Sequence, residues 1–272
     1  MVCCQFYVDD ERGNTMEEDI KKLLEYVEPA PQNLIVMSGR GSKLRTKFNP
    51  PLEYNHSNVG YELCLIRLET YFSFPNIDFS NNNLRVSLNG TWYEIKIPTG
   101  CYDIVSINTV LQKQLLKLSG EKKIEQHVVI AANKNTLRCV LEIKDDTTIV
   151  DFDVDNSLRT VLGFKAKQYK KSGVYESEDL VNILSVNSIL VHCDIIEGSC
   201  VNGSLAPVIY NFFPDVSPGE KIISQPLHLI YIPLTMDVIP SMSCWLTDQT
   251  GREINLRGEE LTLTFHVRKK KH

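Results

Sequence analysis

Asp151, Asp153 and Asp155 stand at alternate positions, and carboxylates in that spacing open the oxygen cage of a calcium loop. Such a loop also needs a Gly at its sixth position and a bidentate Glu at its twelfth. This chain has Asn156 and Leu162 there, so the triplet reads as solvated carboxylates along a strand edge. Ser38-Gly39-Arg40-Gly41-Ser42-Lys43 carries the glycines and the lysine of a phosphate loop. It lacks the four-residue gap between glycines, the Gly-Lys-Ser/Thr ending and a following helix. His192 and Cys193 are metal ligands by type, but neighbours in a strand point to opposite faces and cannot share an ion. Neither a Cys-x-x-Cys nor a His-Glu-x-x-His pattern occurs, and no Gly-x-Ser-x-Gly elbow precedes a helix. The six histidines (His56, His127, His192, His228, His266, His272) pair with no nucleophile at a diagnostic spacing. His266 falls in the last strand, where a hydrogen-bonded or exposed imidazole is expected. The reading is of a chain that is not an enzyme, with no catalytic residue, no metal site and no cofactor. One charged cluster remains, the run Arg268, Lys269, Lys270 and Lys271 ahead of His272. It is a candidate contact for nucleic acid or an import factor; the alternative is a solvated end that keeps the final strand from pairing edge to edge.

Composition narrows the class without choosing a function. At 272 residues with 43% hydrophobic and 23% charged residues, the chain is ordinary for a globular protein. A chain of this length buries roughly 70–75% of its unfolded surface and needs no covalent staple. The net charge of −5 argues against a nucleic-acid binder held by overall charge. Eight cysteines (Cys3, Cys4, Cys64, Cys101, Cys139, Cys193, Cys200, Cys244) follow no repeated spacing. Cys64, Cys139 and Cys193 alternate with apolar neighbours, which predicts buried free thiols rather than a disulfide framework. No signal-peptide pattern and no run of about 18 apolar residues is visible, so the expectation is a soluble chain with no membrane contact, made in a reducing compartment.

The elements that would position these groups are mostly strands. Asn14 to Glu28 predicts a helix with a capping box at Thr15-Met16-Glu17-Glu18, closed by Pro29-Ala30-Pro31. It is either a separate arm or a helix docked on its own domain. Short strands are expected at Leu34–Met37 and Lys43–Phe48. Tyr61–Tyr71 carries apolar residues on both parities, the mark of a strand covered on both sides. Asn89-Gly90 predicts a two-residue hairpin turn in which Leu88 faces Thr91, Val86 faces Tyr93 and Leu84 faces Ile95. That register sets Ser87 against Trp92 and Arg85 against Glu94 as an opposite-charge pair. Ser106 is expected to cap a helix whose stripe is Ile107, Val110, Leu111, Leu115 and Leu118, stopped by Gly120. A second hairpin spans Val128–Ile130 and Leu137–Ile143, followed by a strand at Thr147–Phe152 and a short helix at Ser157–Leu162. Lys165 to Gly173 reads as a basic loop. Beyond it strands are expected at Asn182–Leu184, Ser188–Ile196, Pro207–Phe213, Lys221–Ser224, Leu227–Ile232, Ser241–Thr247 and Leu261–Arg268. The spacing of prolines and glycines among them is that of an antiparallel sandwich.

The run from Tyr61-Glu62-Leu63 through Leu68-Glu69-Thr70-Tyr71 to Ser73-Phe74-Pro75-Asn76-Ile77 resembles proteins encoded by Polinton/Maverick elements and the related adintoviruses. Ile97-Pro98-Thr99-Gly100-Cys101-Tyr102-Asp103-Ile104, with Ile107-Asn108, belongs to the same pattern, and so does Asn182 to Val191. Phe213-Pro214-Asp215-Val216-Ser217-Pro218-Gly219, Trp245-Leu246-Thr247-Asp248-Gln249 and the ending Leu256 to Arg268 complete it. The likeness covers residues 33 to 268 and leaves 1 to 32 unmatched. The resemblance implies a minor capsid, or penton, protein: a jelly roll that assembles as homopentamers at icosahedral vertices beside a major double jelly-roll capsid protein. It places the chain in the virion, with possible nuclear passage and possible contact of the basic tail with packaged DNA. The expected fold is mainly β, an antiparallel jelly-roll sandwich with an inserted or appended α+β module and a short N-terminal helix. The expected division is 1–32 as arm, 33–75 plus 179–272 as sandwich and 76–178 as module, since roughly 15 strands are too many for one eight-stranded roll. The alternative function is a sandwich that attaches to a glycan or host receptor through aromatic clusters at Tyr71, Phe72 and Phe74 or at Tyr210, Phe212 and Phe213.

Overall fold

The computed structural model describes residues 33–54, 60–120, 127–183 and 186–270. The helix expected at Asn14–Glu28, and with it Cys3, Cys4, His56, Leu184, Lys271 and His272, lies outside these residues. The chain opens with β1 (Asn33–Arg40), β2 (Lys43–Glu53) and β3 (Tyr61–Tyr71). There follow β4 (Asn83–Leu88), β5 (Thr91–Lys96), the helix α1 (Ile104–Ser119), β6 (Val128–Asn133) and β7 (Arg138–Ile143). Then come β8 (Ile149–Asp151), the single-turn α2 (Arg159–Leu162), β9 (Gln168–Lys170) and β10 (Gly173–Glu176). The last stretch is all strand: β11 (Ile189–Cys193), β12 (Ser199–Val201), β13 (Ser204–Ala206), β14 (Val208–Phe212), β15 (Lys221–Ser224), β16 (Ile232–Pro233), β17 (Val238–Asp248) and β18 (Glu260–Lys269).

Two antiparallel sheets face each other. One runs β1-β18-β3-β15, with β16 also on β3, and the other runs β14-β11-β17-β2. Strands near in sequence alternate between the sheets, and the first and last lie side by side. This is the wrapping order of an eight-stranded jelly roll. Its core is a continuous apolar cluster that includes Met37, Leu63, Leu65, Leu68, Val191, Met242, Leu246, Leu263 and Phe265. Between β3 and β11 the chain builds a second set of layers, a sheet β5-β4-β8-β9 and a sheet β10-β7-β6, with α1 against β5 and β6. These share a second apolar cluster around Leu84, Val86, Ile107, Leu111, Leu141 and Phe152.

Local chemistry accounts for most of these elements. The β4–β5 hairpin has the register that Asn89-Gly90 predicts, with Leu84, Val86 and Leu88 opposite Ile95, Tyr93 and Thr91. Both turn residues have positive φ, 49° and 83°. In β3 the two-parity apolar pattern has a different cause from the one expected. A bulge at Ile66 sets Leu65 opposite Phe265 but Arg67 opposite Thr264. The extra residue flips the side-chain parity, so Leu63 and Leu65 before it and Leu68 after it all enter the same core. Cys64 is the residue buried on the other face. The helix α1 begins earlier than expected. Asp103, not Ser106, is its N-cap, and its carboxylate accepts the Ser106 N–H at 2.7 Å.

Three further expectations are corrected. The basic segment Lys165–Gly173 is loop only in part: Gln168–Lys170 pairs with β8 as β9, and β10 begins at Gly173 and pairs with β7. Asn182 and Ile183 form no strand; Ile183 packs on the second cluster instead. Leu227–Ile232 is not a continuous strand either, because β15 and β16 both lie on β3 while residues 225–231 leave the ladder. Three more residues are present there than β3 can pair between Leu63 and Leu68. The excess bulges outward and exposes Leu227 by 96% and Ile230 by 70%.

Candidate assembly surface

The groups singled out for chemistry are held apart by the strands that carry them. Asp151 ends β8 with its carboxylate buried. Oδ2 accepts from Arg85 Nη2 at 2.5 Å and Gln168 Nε2 at 3.0 Å, and Oδ1 accepts the Asp153 N–H at 3.0 Å. Burial opposes ionisation, but the Arg85 bond, the Asp153 N–H and the Gln168 amide outweigh it and hold the carboxyl below its usual range. Asp153 and Asp155 are exposed. Among the described residues no three His, Cys, Asp or Glu side chains converge as a metal cage. The expected Arg85–Glu94 pair is also corrected. Both acids stand opposite Arg85 in the ladder, Glu94 on β5 and Asp151 on β8. The guanidinium goes to the buried one, stacks 4.6 Å from the Trp92 ring and leaves Glu94 to Lys96.

His192 and Cys193 do point to opposite faces. The imidazole lies parallel to Trp245 at 5.0 Å with Nε2 2.8 Å from Thr247 Oγ1, and burial pushes it below its usual range. Cys193 faces the core directly opposite Cys244. The described cysteines are free thiols, and Cys64, Cys139, Cys193 and Cys244 are buried. His266 is satisfied by the Tyr231 hydroxyl at 2.7 Å. The Ser38–Lys43 segment is the end of β1, the Gly41-Ser42 turn and the first residue of β2. It is latched by the Gly41 N–H to the Glu259 carbonyl, by Ser42 Oγ to Glu253 and by the Lys43–Glu253 ion pair. The hydroxyl that a phosphate would need from Ser42 is already donated to Glu253.

The basic tail divides. Arg268 lies 3.1 Å from a Glu62 oxygen and 3.3 Å above the Tyr231 ring, and the Lys270 N–H donates to the Gly60 carbonyl. Lys269 is half-buried and Lys270 exposed; Lys271 lies outside the described residues. β18 is paired with β1 as far as Val267 and with β3 as far as Lys269, so Arg268 and Lys269 are paired on the β3 side alone among the described residues. The aromatic clusters are mainly interior. Phe72 stacks on Phe74 at 4.3 Å and Tyr210 on Phe212 at 6.0 Å, all against the sandwich core, and only Tyr71 and Phe213 are exposed. A mostly apolar crevice of about 360 Å³ separates sandwich from block, lined by Phe72, Phe74, Tyr102 and Asp103, the last engaged as helix cap.

What remains available is the outside of the sandwich. β1, β2, β14 and β15 are the sheet edges. β2 is blunted by Lys43, Arg45, Lys47, Pro50 and Pro51, the residues that discourage strand addition. β1 and β14 carry no charge along their outer rows except Arg40 at the end of β1. Exposed apolar side chains cluster near these edges: Leu34 and Val36 on β1, and Ile223, Leu227 and Ile230 at β15 and the bulge after it. The sequence signal for this was present in the alternating Leu34 and Val36. It was missed at 227–230 because an apolar run reads as a strand. No helix among the described residues is long and apolar enough to cross a membrane.

No family model matches the chain, and no curated protein matches it. Among solved structures, the crystal structure of a SeMet-labelled mavirus penton protein aligns with a TM-score of 0.48 at 9% identity, over 88% of this chain and 100% of that one.

Proposed function

We propose that this chain is a structural capsid protein of penton type, which self-associates as a closed ring, a pentamer, at the vertices of an icosahedral shell. The observation that carries the reading is the jelly-roll strand order, β1-β18-β3-β15 over β14-β11-β17-β2, with the α+β block on the connection between β3 and β11. Capsid subunits are among the common uses of that roll, and the motif pattern that resembles Polinton/Maverick and adintovirus penton proteins runs through both its halves. In this reading residues 33–75 plus 179–272 form the shell-building sandwich, 76–178 an inserted module and 1–32 an arm. The major double jelly-roll capsid protein is the neighbour in the shell, and the virion is where the protein resides. Lys269, Lys270 and Lys271 are the tail residues left for packaged DNA or an import factor, because Arg268 is tied to Glu62 and Tyr231.

The test is recovery of the chain in purified particles, followed by location of its density. The expected result is a minor component, far below the major capsid protein, confined to the vertices. Absence from intact particles ends the reading. The tail is tested separately by removing residues 269–272. Loss of DNA retention with a shallower salt dependence supports a phosphate contact; an unchanged salt slope rejects it.

A further inference from the structure

Cys193 and Cys244 are the only two cysteines among the described residues that stand opposite one another. The register pairs them across β11 and β17, whereas Cys64 faces His266, Cys139 faces Ala132 and Cys200 faces Leu205. Cys101 lies outside the strands, and its thiol donates to the Phe74 carbonyl at 3.1 Å. Backbone hydrogen bonds fix the spacing of the opposed pair. The Cys193 N–H donates away from β17, to the Pro207 carbonyl at 2.8 Å, and the Asp194 N–H donates to the Ser243 carbonyl at 3.1 Å. Cys193 and Cys244 therefore form a non-hydrogen-bonded pair, the close rung of an antiparallel ladder, with Cα atoms about 4.5 Å apart. A disulfide spans Cα separations of roughly 4.4–6.8 Å. Both side chains enter the sandwich core, so the two sulfurs lie on the same face of their sheet. Cys244 Sγ also lies 3.8 Å from Met37 Sδ on the opposing sheet. That unbranched thioether can shift to fill the room left when two sulfurs draw together.

We propose that Cys193 and Cys244 are an oxidation site, at which an intrachain disulfide closes between β11 and β17 when the chain meets a small-molecule disulfide such as oxidised glutathione. The reaction is two exchanges. The thiolate of one cysteine attacks the S–S bond of the oxidant, forming a mixed disulfide and releasing one small thiol. The second cysteine then attacks the protein sulfur of that mixed disulfide, forming the Cys193–Cys244 bond and releasing the second small thiol. Two protons and two electrons pass from the pair to the oxidant. Access sets the rate. Both thiols are buried, and the neighbouring Cys193 thiol, together with burial, pushes the Cys244 thiol up and keeps its thiolate scarce. The pair is the last rung of β11, and beside it the Asp194 carboxylate accepts the Ser243 N–H at 2.8 Å. Opening of that end is the way in, so the thiols outlast a brief exposure and convert in a long one. The bond closes a loop of about 50 residues that holds β12 to β16, and closure of such a loop stabilises the fold. The site does not depend on the capsid reading. Within that reading the pair is reduced while the chain is made and oxidised in the released particle.

In the experiment, full-length chain is held in glutathione buffers of increasing oxidised fraction, blocked with N-ethylmaleimide and mapped by mass spectrometry without reduction. A second sample is refolded from urea in the same buffers, so that burial does not limit access. A peptide joining Cys193 to Cys244 is expected in both samples, forming slowly in the folded chain. The linked form should melt roughly 5–10 °C higher than the thiol form. Asp194→Ala, which frees the end of the ladder, should speed the link in the folded chain roughly fivefold. Cys244→Ala should lose the oxidant-dependent rise in melting, and Cys101→Ala should keep it. Three outcomes would each overturn the assignment: no Cys193–Cys244 peptide in the soluble refolded chain, a linked form that melts no higher than the thiol form, or a rise that survives Cys244→Ala. Absence of the chain from particles removes the capsid reading and leaves these results as they stand.

Discussion

Arg85 stands between two carboxylates in one ladder, and burial decides which it serves. Asp151 is almost inaccessible and Glu94 is open to water, so the attraction is screened less on the Asp151 side. Removing the guanidinium strands a buried anion, and Arg85→Met is expected to cost about 2–3 kcal/mol. Glu94→Ala should stay within about 0.5 kcal/mol. Urea unfolding of the two variants separates them, and equal costs would contradict the asymmetry. Asp145 gives a pH handle. Burial works against its charge, but bonds from Thr147, His127 and Thr148 bring its carboxyl down to about 2, well below the usual carboxylate range. A carboxyl depressed in the folded state contributes stability that is complete above the unfolded value and is lost as pH falls through the folded one. Asp145→Asn should therefore flatten the stability profile between about pH 4 and pH 2. An identical acid limb in parent and variant would rule this out.

Two glycines with nearly the same backbone angle show how an element is fixed by its surroundings. Gly90 has φ 83° in the β4–β5 turn with open space where a Cβ would project. Gly163 has φ 80° at the end of α2, and a Cβ there would sit 2.4 Å from the Asp179 carbonyl oxygen. The close approach is needed because the Asp179 N–H donates to the Gly163 carbonyl, bringing the outgoing chain back across the helix end. Gly90→Ala is expected to cost about 1 kcal/mol from backbone strain alone. Gly163→Ala should exceed about 2 kcal/mol, since strain and overlap add. Thermal melts rank them, and a Gly90 penalty as large as that at Gly163 would mean the contact is unimportant.

At the scale of the whole molecule the chain carries two apolar interiors, one around Phe265 and Leu263 and one around Leu111 and Phe152. Leu263→Ala and Leu111→Ala each empty a fully buried site and should cost about 2–5 kcal/mol. Hydrogen exchange is the discriminating measurement. Leu111→Ala is expected to lower protection in β4 to β8 first, and Leu263→Ala in β1, β3 and β18. Equal loss everywhere from either change would show that the two interiors open as one.

The sequence by itself determined what depends on near neighbours. The Asn89-Gly90 register, the α1 stripe of Ile107, Leu111 and Leu115, and the mainly antiparallel class all follow from turn chemistry and periodicity within a few residues. The opposite orientations of His192 and Cys193 follow from the alternation of a strand. Tertiary structure decided what depends on residues far apart. The bulge at Ile66 is visible only from the pairing of β3 with β18, about 200 positions later in the chain. The excursion at 225–231 exists because β3 offers too few positions between its two partners, and no local pattern in Leu227–Ile230 records that length. The choice of Asp151 over Glu94 likewise arises where distant strands meet. Local chemistry sets which way a side chain points, whereas only the closed sandwich sets how much water and which partner it finds there.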